Sequence, residues 1–258
     1  MGDSILIDPA LQELMLGAIV VYFIAGIVKG ALGIGFPTTA ISLIAQFTDA
    51  RTAITLVVIP MLVTNAWQVW RSRKVRWVMK RFWLLLIVML IFIGIFSLIA
   101  AAVPEKGVMI ILGVIVTLYA ASSLYHPVIA ITEKVDKPVQ VLTGILSGAM
   151  GGIAGVWAPP ILIYLSARRL SKDQFVSTVG VLLFLGSCVL LIGYWNNGLL
   201  GSSILMMSSM LVLPSLLGFS AGEAIRNRLS AHRFERLLLW FFLLVGLNLI
   251  RRALIGGP

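Results

Sequence analysis

The sequence predicts an all-α polytopic membrane protein built from two inverted structural repeats. Three observations predict it: uncharged apolar runs along the whole chain, a duplicated glycine and proline cluster, and a one-sided distribution of Lys and Arg. Each repeat is expected to hold a Gly/Pro-broken re-entrant segment plus three transmembrane helices. The duplication sets the boundaries: residues 1–127 form the first membrane repeat, 128–137 a linker and 138–258 the second repeat.

Composition supports the class. The chain has 258 residues, 60% hydrophobic and 12% charged, and its mean hydropathy is +1.04. A soluble domain carries about a quarter charged residues. The run FWLLLIVMLIFIGIFSLIAAAV at 82–103 makes a helix of about 33 Å, enough for a hydrocarbon core of roughly 30 Å. The N-terminus has Asp3, Asp8 and Glu13 but no basic n-region, so no signal peptide is expected. A net charge of +10 would suggest nucleic acid in a soluble protein. Here the positive-inside rule accounts for it, and no aromatic–basic pattern accompanies it. No nucleic-acid partner is expected. Cys188 stands alone, which excludes an internal disulfide and a multi-cysteine metal or redox site. No cofactor is expected.

The repeat is read from two stretches. GIVKGALGI at 26–34 aligns with GILSGAMGG at 144–152, so that Gly26, Gly30 and Gly33 fall on Gly144, Gly148 and Gly151 at one constant offset. Pro37 follows the first stretch, and Pro159 and Pro160 follow the second. Each half then reads alike: an apolar segment with Gly-x-x-x-Gly, the break, a short apolar piece (38–47 or 160–167), and three ordinary spans. Those spans are expected at about 52–70, 82–103 and 107–125, and at about 174–195, 203–223 and 234–254.

Charge decides how the broken segments run. If each enters and returns to the side it left, the basic loops at 71–81, 134–137, 168–172 and 226–236 share one side and hold fifteen Lys and Arg; Arg51, Lys106, Arg251 and Arg252 face the other. An eight-span alternative, with each broken segment crossing once, leaves ten against nine. The first arrangement obeys the positive-inside rule. It inverts the halves, puts the basic loops in the cytoplasm and puts both termini outside.

Exposed backbone polar groups are not tolerated in lipid, so a break at membrane depth must be buried in protein or line a wet cavity. Paired broken segments in two halves are the best sequence pointer to a carrier's substrate site. Gly33, Gly35, Gly151 and Gly152 allow close backbone approach. Thr38 and Thr39 sit where Pro37 starts a new helix, and a helix start offers N–H donors to an anion. Close helix packing is the competing use of Gly-x-x-x-Gly. Lys29 reads either as a charge partner for an anionic substrate or as a lysine snorkelling from the cytoplasmic end of its helix. Ser147 holds the matching place, so a cationic site would be asymmetric. Trp157 reads as a pocket wall or as an interfacial tryptophan. Asn65 is a cavity candidate; Gln68, near a basic loop, is expected at the interface. Arg51 and Gln174 hold roughly matching places before their helices and read as solvated loop residues, with a cap or a gate as the alternative.

Other signals fail. GFSAG at 218–222 has the Gly-x-Ser-x-Gly spacing of hydrolases but ends a membrane helix after Pro214. His126 and His232 lack metal-ligand spacing, and no Walker loop appears. Glu223 neighbours a basic loop and reads as an end cap or ion-pair partner.

With GIVKGALGIGFP and GILSGAMGGIAGVWAPP each beginning a half, nearly the whole chain resembles the TauE/SafE sulfite exporter family, also called the toluene sulfonate uptake permease family. The family's usual break is a denser glycine run before a proline; both copies here are degenerate. The resemblance implies transport of sulfur-containing anions such as sulfite or organosulfonates, with no enzymatic activity. The expected function is secondary transport by alternating access across the cytoplasmic membrane. An anion channel and a non-transporting scaffold are the alternatives. Lys29, Gly33, Gly35, Thr38, Thr39, Asn65, Gly151, Gly152 and Trp157 are the substrate-site candidates. The partners expected are a small anion, the lipid bilayer and, at most, a second copy of the chain.

Overall fold

The structure, a computed structural model, describes residues 9–72, 74–125, 131–168, 170–226 and 231–255, with side chains throughout except at 9–14, 172, 226, 231–235 and 237. His126 and the side chain of His232 lie outside that set. The helices of the first half are α1 (Pro9–Leu32), α2 (Phe36–Ile44), α3 (Ala50–Trp70), α4 (Val75–Arg81), α5 (Trp83–Ile99) and α6 (Glu105–Tyr125). Those of the second are α7 (Asp136–Ala154), α8 (Ala158–Ala167), α9 (Lys172–Asn196), α10 (Ser202–Met210), α11 (Val212–Arg226) and α12 (Ala231–Ile255). No strand occurs among the described residues.

Seven stretches of the described residues are long and apolar enough to cross a membrane, from Met15–Leu32 to Leu238–Ile255. The chain is therefore a multi-pass membrane protein. Six of the seven fall on the expected ordinary spans. The short pieces appear as α2 and α8. The span expected at 203–223 is divided at Leu211 into α10 and α11. Pro214, in the first turn of α11, forbids the helical bond back across that junction. α7 is not among the seven. Its buried face carries Asp136, Gln140, Thr143, Gly144, Ser147 and Gly148 at helical spacing, so it is polar inside.

Glycine makes both breaks. α1 ends where the Gly33 N–H donates to the Lys29 carbonyl at 2.6 Å. Gly33 has φ +80° and Gly35 φ +91°, left-handed values that an L side chain rarely adopts. Pro37 then sits in the first turn of α2, where a missing N–H costs nothing. α7 ends at Gly155, φ +68°, and prolines again occupy the first turn of α8. Pro60 interrupts α3 and frees the Leu56 carbonyl. The Ser208 hydroxyl donates to that carbonyl at 2.7 Å, the repair that apolar surroundings demand.

Two groups of helix ends are tied by contacts. In one, Gln68 near the end of α3 donates to the carbonyls of Gly33 and Val176, each at 3.3 Å. Arg71 pairs with Glu223 at 2.7 Å. Arg81, Glu133, Arg168 and Asp136 form a charged cluster joining α4, α7 and α8. In the other group, Arg51 donates to the Val103 carbonyl at 2.6 Å, Arg252 to the Ala45 carbonyl at 2.6 Å, and Asn197 to the Ser97 carbonyl at 3.2 Å. Arg51 is thus held by the backbone before α6 and does not read as a solvated loop residue. Gln174 serves as a cap: its side chain and Ser171 form a capping box at the start of α9.

Packing repeats between halves. α1 packs on α11, and α7 on α5; α6 packs on α12, and α3 on α9. Exchanging the halves turns the first seam into the second and maps the other two onto themselves. The glycines set both seams. A Cβ on Gly30 would stand 2.8 Å from the Glu223 nitrogen, and one on Gly148 would stand 2.8 Å from the Met89 carbonyl oxygen. Gly218 and Gly222 close the first seam against the backbones of Phe23 and Ile27. That packing is what GFSAG supplies, as small residues do between membrane helices.

Candidate substrate site

Lys29 is the chemical centre of the first break. It is 1% exposed, so it does not snorkel. Its ammonium donates to Thr64 Oγ1 at 3.2 Å and to Asn65 Oδ1, both on α3. The nitrogen also lies 6.0 Å from the centre of the Phe36 ring, within cation–π range. Among the described residues no carboxylate lies within ion-pairing distance of it. A lysine amine has up to three donors; here two hydrogen bonds go to neutral oxygens.

That charge borders a cavity of about 360 Å³, a size typical of small-molecule sites, which span roughly 300–1,000 Å³. Lys29, Gly30, Gly33 and Gln68 line its buried part, while the exposed Arg71, Lys74 and Asp173 stand at its mouth. Asp173 and Glu223 are the acidic residues on the wall, and Glu223 is occupied by Arg71. Gln68 is buried, contrary to the interfacial position expected for it. Its long side chain ties the first break to α9, a tertiary contact with no local sequence signal.

Asn65 links the two halves. While Oδ1 accepts from Lys29, Nδ2 donates to Ser187 Oγ of α9 at 3.4 Å. Beside Ser187, Gly186 faces Trp157: a Cβ there would lie 2.9 Å from the indole Nε1. The other side of the ring covers Gly151, where a Cβ would lie 3.0 Å from Cε3. Trp157 is buried, not interfacial. Among the described residues its Nε1 has no acceptor, and the buried hydroxyl of Ser147, the counterpart of Lys29, has no partner. The crossing of α3 and α9 therefore brings both breaks to one polar core.

The remaining candidates divide. Gly33 lines the cavity. Gly35 shapes the turn and packs on Val28. Thr39 is buried and returns its hydroxyl to the Gly35 carbonyl at 2.8 Å; Thr38 is buried beside it. Neither threonine is on the cavity wall. Gly152 belongs to the α5 seam, where a Cβ would stand 2.6 Å from the Phe96 Cβ. Sequence reasoning missed Thr64 and Ser187. Both are ordinary hydroxyls in apolar helices, and only the approach of Lys29 and Asn65 distinguishes them.

No curated protein and no solved structure gives a match to the chain. A family model does, that of the sulfite exporter TauE/SafE, over residues 18–249. The match takes in both breaks, the α3–α9 crossing and every residue around Lys29. This multi-pass protein, with a buried lysine facing a cavity at its broken helix, belongs to the TauE/SafE sulfite exporter family and is a membrane transporter rather than an enzyme.

Proposed function

We propose that the chain is a secondary transporter of a sulfur-containing oxyanion, sulfite or an organosulfonate, bound at Lys29 and moved by alternating access. One observation carries the reading: a buried ammonium at the edge of a cavity, held by neutral oxygens alone. Burying a charge costs several kcal/mol unless something compensates it. An anion in the cavity supplies that compensation. Asn65 and Thr64 orient the ammonium, and the Gly33 turn opens the backbone beside it. Trp157, Ser147 and Phe36 are buried and are not on the cavity wall, so an anion held at Lys29 meets the cavity through Gly30, Gly33 and Gln68.

In this reading the halves are inverted, and each broken segment returns to the face it left. The exchange of α1–α11 for α7–α5 supports it, as do the tied helix ends. The basic ends at Arg71, Lys74, Arg81 and Arg168 then face the cytoplasm, with both termini outside.

Ligand-dependent thermal stability of the purified protein tests the site. A ligand that binds only the folded state stabilises it by about 2.7 kcal/mol at a hundredfold excess over its Kd. Sulfite, sulfate, thiosulfate, carboxylates and alkyl or aryl sulfonates form the panel. Selective stabilisation by one sulfur anion, lost in Lys29→Ala, is the expected outcome. A folded sample indifferent to the whole panel overturns the substrate class. Concentrative, saturable uptake into proteoliposomes then separates a carrier from a channel.

A further inference from the structure

The described residues hold a second, much smaller cavity at the opposite set of helix ends. It is about 10 Å³ and is lined by Arg51, Ile54, Thr55, Ala100, Val108, Ile153, Tyr194 and Leu199. We propose that this is the collapsed counterpart of the Lys29 vestibule and that Arg51 is its anion-binding cation on the other face of the membrane. The inference rests on the transporter reading above and adds to it a second binding station.

The register carries the argument. Asp173, Val176 and Ser177 line the large cavity from the first turns of α9. Arg51, Ile54 and Thr55 line the small one from the first turns of α3. The two triplets coincide at one constant offset, and the same offset places Ser72 of the large cavity on Tyr194 of the small one. α1 and α11 also line the large cavity; α7, the exchange partner of α1, contributes Ile153 to the small one, and Ala100 joins it from just beyond the end of α5. One part of the wall, a helix start with the residue facing it, therefore occurs twice, beside an open cavity at one end of the molecule and a nearly filled one at the other.

The closing contacts are specific. The Tyr194 hydroxyl donates to the Gly152 carbonyl at 3.0 Å and to the Ile153 carbonyl at 3.3 Å. Arg51 Nη2 donates to the Val103 carbonyl. Among the described residues Arg51 Nε, which is buried, has no acceptor, and the guanidinium forms no ion pair. Where the open vestibule has the carboxylate of Asp173, the closed one has a guanidinium with an unused N–H. A planar guanidinium matches an oxyanion in two-point geometry. When Tyr194 releases the end of α7, that group faces the anion arriving from, or leaving to, the Arg51 side.

Oriented proteoliposomes test this. With sulfite as probe, Arg51→Gln is expected to raise KM at least tenfold on the Arg51 face and less than twofold on the Lys29 face, with Arg51→Lys, which keeps the charge but not the two-point geometry, recovering only part of the loss. Equal shifts on both faces, or none, overturn the proposal. A ligand-free arm uses Thr55→Cys and Ser177→Cys in a Cys188→Ser background with a membrane-impermeant maleimide. At rest Ser177→Cys reacts from the Lys29 face about tenfold faster than Thr55→Cys from the Arg51 face. Adding Tyr194→Phe speeds the second and slows the first. If both speed up together, the cavities are not alternates and the inference falls. Reciprocal labelling in a protein that moves no sulfite upholds the paired cavities and defeats the sulfur-anion reading instead.

Discussion

The two broken segments share a backbone and differ in what they place on it. The first carries Lys29, braced by Thr64 and Asn65 at the edge of an open cavity. The second carries Ser147 in the matching place, and the Trp157 ring fills the space against Gly151 and Gly186. Glycine spacing, positive-φ turns and first-turn prolines are common to both. Two similar breaks thus carry different side chains, and one lysine sets the first apart from the second.

The largest effects should come from that shared geometry. Gly30→Ala and Gly148→Ala each drive a methyl into the backbone of the facing helix. Overpacking costs about 1–3 kcal/mol where side chains can yield, and more where backbone must. Both variants should lose 3 kcal/mol or more, about equally, in reversible denaturation in detergent. A much smaller loss in one would mean that the two seams are not equivalent.

Changing the charge comes next. Ser147→Lys puts a second ammonium into the half that lacks the Thr64 and Asn65 acceptors. An unpaired charge at membrane depth costs about 2.5–3.5 kcal/mol, and the same denaturation assay should register that loss. The converse change, Lys29→Gln, should keep the fold. It should weaken the stabilising anion about 10–100-fold, because hydrogen bonds to charged groups are worth about 1.5–3 kcal/mol. Titration by thermal shift reads it. Anion affinity that survives Lys29→Gln would move the site to the Trp157 half.

The smallest effect concerns how each broken segment is anchored. Ala45, after α2, is held by Arg252, whereas the end of α8 is held by the Arg168, Glu133 and Arg81 cluster. The Arg168 hydrogen bond, followed by that of Arg81, holds the Glu133 carboxyl below its ordinary pKa. A carboxyl lowered in the folded state contributes stability above its unfolded pKa and loses it as pH falls through the folded value. The Glu133 contribution should therefore be constant at neutral pH and disappear below the ordinary carboxylate range. Glu133→Gln should flatten that acid limb slightly, since the residue is exposed and screened. An unchanged acid limb would leave the anchor without an electrostatic part.

Much of this was readable in one dimension because lipid simplifies the rules. A span needs about twenty apolar residues, and the ordinary spans appeared close to where hydropathy placed them. Gly33, Gly35 and Pro37 announced a turn because few other residues tolerate it. Thr64, Ser187 and Gln68 stayed hidden: a hydroxyl or amide in a helix gains meaning only from what crosses it. Thr39 is the opposite case. Its position suggested a donor for an anion, but its hydroxyl had a nearer acceptor in the Gly35 carbonyl.

The sequence by itself determined the membrane class and the positions of both breaks, which follow from composition and backbone permission, and its glycine and proline motifs pointed to the family. Only the tertiary structure decided that Lys29 turns inward to Thr64 and Asn65, that Trp157 closes its own half, and that Arg51 stands in a shut cavity opposite an open one. Those outcomes depend on which faces of α1, α3, α7 and α9 meet. Helix crossings bring together residues far apart in the chain, and no local pattern records them.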